Sequence, residues 1–236
     1  MTIDYRGFGL SSGFPTESGL ILDGIATVNW ALHIAQIPAD RIVLIGQSLG
    51  TAVTTAVAKH FVEEGTEFAG VILVAGFMDL TSLLTSYAIA GYLPVISPLR
   101  HYPKLYKMFS ERLVDTWQTS TRLATLVRLS QKLRLFIIHG RNDYEIPYSH
   151  SDGLFAAAAN ATTDGGMDID LLMKIKARST VDLGDGAFIS TWKAGGGKTI
   201  REEIIAHGRM YYRTMTCTRT HDDQLIEQLY PTLQFL

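Results

Sequence analysis

The most constraining feature of the sequence is the junction at residues 41–64, where an apolar run, a glycine-bounded turn and a helical pattern follow one another directly. Residues 42–45 are apolar throughout, as in strands that are buried on both faces of a parallel sheet. Further strand patterns lie at 69–75, 133–139 and 200–206, with helical patterns between them. This alternation predicts an α/β fold with a mostly parallel sheet and helices on both faces.

The turn in this junction reads Gly46-Gln47-Ser48-Leu49-Gly50 and matches the pattern G-x-S-x-G of a nucleophile elbow. Such a turn is sharp and strained, and it lifts the serine hydroxyl above the sheet. The strand and the helix nearly touch there, so we expect the positions two residues before and after Ser48, Gly46 and Gly50, to need glycine. The N–H of Leu49, at the start of the helix, would stabilise an oxyanion. The alternative is that Ser48 is an ordinary helix N-cap.

A serine nucleophile needs a base, and the base needs an acid to orient it. On this type of sheet the acid comes before the base in the chain, and each follows a strand. Asp143 lies in the turn after the run 133–139, and His207 follows the run 200–206. We therefore predict Ser48, Asp143 and His207 as the catalytic residues. Asp143 could instead only cap its turn, and His207 could be structural; His221 lies in a polar stretch typical of the surface.

The composition indicates a single globular domain spanning residues 1–236. Hydrophobic residues make up 47% and charged residues 19%, and the net charge of −2 offers no field for nucleic acid. The single cysteine, Cys217, cannot form an internal disulfide, which favours a reducing compartment. No cluster has metal-ligand spacing, so we expect neither metal nor cofactor. The glycines at 195–197 predict a hairpin turn.

Residues 80–130 depart from the strand–helix rhythm and predict an inserted lid. Their apolar side chains, represented by Leu84, Tyr87, Tyr92 and Leu93, would suit an acyl chain, although packing within the lid would explain them equally. The most apolar part of this segment, residues 83–99, is too short and too interrupted by glycine and proline to span a membrane. The first residues do not have the pattern of a signal peptide. Residues 161–199 predict a surface loop with a hairpin.

The segment Asp4-Tyr5-Arg6-Gly7-Phe8-Gly9, together with the turn at 46–50, resembles the α/β-hydrolase superfamily, and more narrowly its intracellular lysophospholipase and monoacylglycerol lipase branch. The resemblance implies a serine hydrolase that cleaves lipid or other small carboxylic esters through an acyl-enzyme. It implies Ser48, Asp143 and His207 as the triad. It also implies an intracellular protein in peripheral contact with a membrane, such as that of the endoplasmic reticulum. The oligomeric state is left open.

The sequence departs from the resembled pattern in two places. The family pattern begins before Asp4, so its first strands and the loop that gives the second oxyanion donor have no counterpart here. Residues 2–5, predicted as a strand, could pair with the strand at 42–45. His207 is followed by Gly208 and lacks the usual preceding glycine pair. Two alternatives therefore stay open: an impaired hydrolase-like fragment or binding module, and a peptidase on the same fold.

Overall fold

The computed structural model describes residues 1–86, 88–89, 93–94 and 113–207 of the chain. The predicted positions Tyr87, Tyr92, His221 and Cys217, and the side chain of Leu93, lie outside the described residues. Within the described part, no helix combines the length and apolar character needed to cross a membrane.

Most of the described strands form one sheet, as the alternating pattern predicts. The strands are β1 (Val43–Gln47), β2 (Gly70–Val74), β3 (Ala88–Ile89), β4 (Leu93–Pro94), β5 (Arg134–Gly140), β6 (Thr180–Gly184), β7 (Ala187–Lys193) and β8 (Thr199–Ile205). The main sheet has the order β1-β2-β5-β8-β7-β6, and β3 pairs with β4 separately. The pairs from β1 to β8 are parallel, whereas β8, β7 and β6 are antiparallel. This is the mostly parallel sheet that the sequence predicts.

All the helices except the first, which precedes β1, lie in the connections between the parallel strands. They are α1 (Glu17–Asn29), α2 (Leu49–Glu63), α3 (Leu80–Ser86), α4 (Thr119–Leu129), α5 (Ser149–Asn160) and α6 (Ile169–Arg178). Thr16 caps α1 by accepting a hydrogen bond from the N–H of Gly19. A π-helical turn, Trp30–Ile34, continues α1 and carries the bond from Ala35 N–H to the carbonyl of Trp30.

The core lies between the central strands and the helices. Leu123, Leu126 and Val127 share one face of α4 at spacings of three and four residues, and all three are buried. They join Leu135 and Ile137 of β5 in one apolar cluster. Full burial of such side chains stabilises the fold by about 1.5–3 kcal/mol each. The apolar core therefore packs against β2 and β5, and β2 is hydrogen-bonded to the turn that carries Ser48.

Three predicted elements differ from the structure. Residues 2–5 do not form a strand, and β1 pairs only with β2 among the described residues. Helix α4 belongs to the core, so the predicted lid extends at most to residue 118. The predicted loop at 161–199 contains the helix α6 as well as the expected hairpin β6–β7. The glycines at 195–197 turn the chain between antiparallel strands β7 and β8, as predicted.

Candidate functional site

Ser48 occupies the single residue between β1 and α2. Its backbone has φ 50° and ψ −119°, a conformation that a residue with a side chain rarely adopts. The Ser48 N–H donates to the carbonyl of Val74 (2.9 Å), which ties the turn to the end of β2. The N–H and the hydroxyl of Thr51 both donate to the carbonyl of Ser48, at 3.0 and 2.6 Å. The turn is thus held from both sides in its unfavourable conformation.

The side chain of Ser48 does not serve as a helix cap. Ser48 stands at the N-cap position of α2 but makes no side-chain capping bond, and the residue is exposed. The alternative of an ordinary N-cap serine therefore does not hold. Backbone strain of about 1–3 kcal/mol that no capping bond offsets is typical of residues at functional sites. Leu49 is the first residue of α2, where backbone N–H groups lack partners within the helix.

The two glycines that flank the turn have different reasons to be glycine. A Cβ atom on Gly46 would overlap the carbonyl group of Gly50 and approach Thr54 Oγ1 to 2.6 Å. A Cβ atom on Gly50 would have no neighbour within 4 Å. The close contact of strand and helix therefore requires glycine at position 46. The expectation that position 50 needs it for the same reason was wrong, because the Cα–Cβ direction there points into open space.

Asp143 lies in the loop that follows β5. Its Oδ1 atom accepts hydrogen bonds from the N–H groups of Glu145 (3.0 Å) and Ile146 (2.9 Å). Its Oδ2 atom lies 3.5 Å from Nε2 of His139. Partial burial acts to raise the pKa of Asp143, but His139 and the two N–H donors outweigh it and hold the pKa below its usual value. Asp143 is therefore a fixed anion at neutral pH.

His207 follows β8 directly and is exposed. Neither Ser48 nor Asp143 makes a hydrogen bond or ion pair with His207 in the part of the chain that the structure describes. The fold does place all three residues at the same edge of the sheet, where β1, β5 and β8 end. Backbone hydrogen bonds run across this edge from Ser48 to Val74 and, at the next strands, from Arg141 to the carbonyl of Ile205 (2.7 Å).

Two histidines near Asp143 were not singled out by the sequence. His139 is wholly buried in β5, and His150, in α5, is buried and accepts a hydrogen bond of 3.4 Å from the N–H of Met78. The sequence placed His139 in a strand but gave it no role. The run His139-Gly140-Arg141-Asn142-Asp143 puts it four residues before the acid, which was the available signal.

The residues predicted to bind an acyl chain are described only in part. Leu84 lies half-buried in α3, and Leu93 lies in β4. An open cavity of about 550 Å³ lies elsewhere, between the N-terminal loop and α1, and none of the predicted site residues lines it; its walls include Ile3, Asp4, Arg6, Phe14 and Asp23. No group of three or more His, Cys, Asp or Glu side chains among the described residues is arranged to hold a metal ion.

The sheet order, the crossover helices and the turn at Ser48 define this chain as an α/β hydrolase. The model of the prolyl oligopeptidase family (Peptidase_S9) matches residues 18–178, which is more than half of the chain, and the chain belongs to that family. A solved structure, the alpha-beta hydrolase of Vibrio vulnificus, superposes with a TM-score of 0.54 over 98% of this chain and 61% of its own, at 15% identity. That likeness supports the fold.

Two curated relatives have low sequence identity to the chain. Protein ABHD12B of Homo sapiens is 30% identical over 161 residues, which are 68% of this chain and 42% of that protein. Lysophosphatidylserine lipase ABHD12 of Macaca fascicularis is 26% identical over 161 residues, which are 68% of this chain and 38% of that protein. The chain thus spans less than half the length of these relatives. The family match, together with a lipase among the relatives, supports a hydrolase.

Proposed function

We propose that this hydrolase is a serine esterase that cleaves carboxylic esters of lipids. The observation that carries the proposal is the turn at Ser48. There a strained backbone places a hydroxyl that makes no capping bond to the helix at the carboxyl edge of a parallel sheet. Ligands and reacting groups collect at that edge in α/β sheets. We interpret the turn as a nucleophile elbow and Ser48 as the nucleophile.

In the proposed reaction Ser48 Oγ attacks the ester carbonyl carbon while its proton passes to His207. The carbonyl oxygen becomes an oxyanion next to the N–H of Leu49, at the positive end of α2. The intermediate collapses, the alcohol leaves with the proton from His207, and the acyl group stays on Ser48. Water then repeats the sequence and releases the acid. Asp143, held ionised by its donors, would orient His207 and stabilise its charged form.

The proposed arrangement requires His207 to come within hydrogen-bonding distance of Ser48. Since β5 and β8 are neighbouring parallel strands, the loop that holds Asp143 and the end of β8 leave the sheet side by side. Catalytic hydrogen bonds are often long in a free enzyme and shorten when substrate binds. A rearrangement of the segment at 206–207 on substrate binding would complete the triad.

The lipid substrate is proposed from the name of one relative, a lysophosphatidylserine lipase. The family match favours a second candidate, a peptidase, because the family is named for an oligopeptidase. The two candidates differ in the bond that is cleaved, an ester or an amide. A third possibility, an impaired hydrolase-like module, predicts that neither bond is cleaved.

The test is a comparison of hydrolysis by the wild type and by Ser48→Ala. We expect the wild type to cleave monoacylglycerol and lysophospholipid esters at least 10-fold faster than aminoacyl anilides of similar size. We expect Ser48→Ala to lower turnover by about 10⁴-fold or more, because the nucleophile is lost. Faster cleavage of the anilides would favour the peptidase. Equal rates for the wild type and Ser48→Ala would contradict both enzymatic candidates.

A further inference from the structure

His139 is a buried titratable side chain next to Asp143, and both of its ring nitrogens have partners. It is the penultimate residue of β5 and is wholly buried. Its Nδ1 atom lies 2.6 Å from the hydroxyl of Ser151, in α5, and its Nε2 atom lies 2.7 Å from the carbonyl oxygen of Ile146. Both ring nitrogens are therefore engaged, one by a helix and the other by the loop that carries Asp143.

The partners of the ring decide which nitrogen carries the hydrogen. A carbonyl oxygen can only accept a hydrogen bond, so Nε2 must donate to Ile146. In the neutral ring Nδ1 is then an acceptor, and the hydroxyl of Ser151 donates to it. The carbonyl of Ile146 therefore selects the tautomer, because a serine hydroxyl can either donate or accept, and Ser151 stabilises this tautomer by donating to Nδ1. A ring of the opposite tautomer would lose the bond to Ile146.

The same N–H side of the ring faces Asp143. Nε2 lies 3.5 Å from Oδ2 of Asp143, while Oδ1 is held by the N–H groups of Glu145 and Ile146. Ile146 is thus bonded twice, with its N–H donating to Asp143 and its carbonyl accepting from His139. The imidazole, the carboxylate and the peptide groups of Ile146 form one closed unit, and the position of the carboxylate depends on the ring.

This unit also stands next to the end of β8. The N–H of Arg141, between His139 and Asp143, donates to the carbonyl of Ile205 (2.7 Å), and His207 follows two residues later. A shift of the loop would therefore change the distance from Asp143 to His207. Misplacement of a reacting group by about 1 Å can lower a rate by about 100-fold.

We propose that His139 and Ser151 are positioning residues, which hold the loop of Asp143 in the place from which its carboxylate orients the catalytic base. This inference rests on the proposed function, since it gives Asp143 the role of the triad acid. His139 touches no substrate in this account. Its effect on the reaction passes through Asp143 alone, which distinguishes it from a buried histidine that only stabilises the fold.

Conservative variants separate positioning from packing. In His139→Gln the side-chain amide can place an N–H group where Nε2 stands, whereas in His139→Asn it is too short to do so. We expect His139→Asn and Ser151→Ala to lower kcat for the ester by about 10- to 100-fold with KM changed less than twofold. We expect His139→Gln to recover most of the loss. Ser149→Ala, at an exposed position in the same helix, is the matched control and should keep wild-type kcat.

A double-mutant cycle with Asp143→Asn tests whether His139 acts through the acid. The readouts are kcat and the rate at which a fluorophosphonate labels Ser48. We expect His139→Asn to have no further effect in the Asp143→Asn background, because the carboxylate that it positions is already lost. If His139→Asn does not fold, as judged by circular dichroism, the same cycle is run with Ser151→Ala. Losses that multiply in the double variant would overturn the inference.

The outcomes separate the two proposals. If Ser48 is labelled in the wild type but the losses multiply, or if His139→Asn and Ser151→Ala keep wild-type kcat, only the positioning role is overturned. If Ser48 is not labelled in the folded wild type and no ester is cleaved, the proposed function fails and the positioning role fails with it.

Discussion

At the scale of single residues, the strained backbone of Ser48 lowers the stability of the fold. A serine at φ 50° and ψ −119° is strained relative to glycine, which adopts positive φ freely. A glycine at position 48 would lose more backbone entropy on folding than serine does, and this offsets part of the stability gained by relieving the strain. We expect Ser48→Gly to raise the free energy of unfolding by about 1 kcal/mol. Ser48→Ala keeps Cβ and the strain, so it should leave stability within about 0.5 kcal/mol of the wild type.

Urea unfolding of the two variants measures this effect. Both variants lack the hydroxyl and should be inactive, so a difference in stability between them isolates the backbone contribution. A Ser48→Gly protein less stable than Ser48→Ala would show that the turn is not strained in solution.

The glycines that flank Ser48 give a second prediction. Gly46→Ala places a Cβ atom against the backbone of Gly50, which cannot move without displacing α2. We expect it to lower the free energy of unfolding by about 3 kcal/mol. Gly50→Ala enters open space in the first turn of a helix and should change stability by less than about 1 kcal/mol. Thermal or urea unfolding checks both; equal losses for the two variants would contradict the geometry described for the turn.

At the scale of elements, local patterns predicted the strands well. The predicted strands 42–45, 69–75, 133–139 and 200–206 correspond to β1, β2, β5 and β8 within two residues at each end. A strand buried on both faces is specified by its own side chains, so it can be read from the sequence. The segment 2–5 failed because a strand also needs a partner. Pairing is a property of the assembled sheet, which local composition does not determine.

Helix α6 was missed for the opposite reason, because the sequence pattern that predicts a helix was present but was not used. Asp168 caps the helix by accepting from the N–H groups of Asp170 and Leu171, and Leu172 is wholly buried. The residues Leu171, Leu172 and Ile175 have helical spacing. The polar, glycine-containing residues around this short helix led the prediction to a loop. The partners of α6 in the sheet could not be predicted, since they depend on tertiary contacts.

A buried polar cluster joins α6 to the sheet. Lys176 Nζ lies 2.6 Å from Asp152 Oδ1 in α5 and 2.5 Å from Glu202 Oε2 in β8. Across the strand pair, Ser190 of β7 stands opposite Glu202. Burial raises the pKa of Glu202 to about 7, and Asp152 acts in the same direction, although Lys176 opposes both. The folded protein therefore holds a proton near neutral pH that the unfolded chain releases.

This raised pKa predicts how stability depends on pH. Between the ordinary glutamate value near 4.5 and about 7, the folded state binds more protons than the unfolded state, so stability falls as pH rises. Glu202→Gln has no carboxylate to ionise at this position, so its free energy of unfolding should fall less than that of the wild type as pH rises. We expect the free energy of unfolding of Glu202→Gln, relative to the wild type, to increase from pH 5 to pH 8 in urea titrations.

Asp164→Asn is the control for this effect, because it removes a carboxylate from an exposed position. The nearby Glu203, whose pKa burial also raises, is present in both proteins and cancels in the difference. A difference in stability between Glu202→Gln and the wild type that stays constant over this pH range would contradict the account of the cluster.

At the scale of the whole molecule, the fold and the sharp turn at Ser48 were predictable because each depends on short-range patterns. The positions of Ser48, Asp143 and His207 after β1, β5 and β8 place them at one edge of the sheet, as the chain order indicated. The positioning role proposed for His139 was not predictable from sequence alone, because it depends on Ser151 and Ile146 meeting the ring from a helix and a loop. Part of the predicted lid, residues 87, 90–92 and 95–112, lies outside the described residues.

The central claim is that Ser48 is an activated nucleophile, and a fluorophosphonate probe tests it most directly. Such probes react with serines whose hydroxyl is activated by a base. The account predicts one labelled site in the folded wild type, located at Ser48 by peptide mass spectrometry, and none in Ser48→Ala. Folded wild-type protein that stays unlabelled, or label that persists in Ser48→Ala, would contradict it.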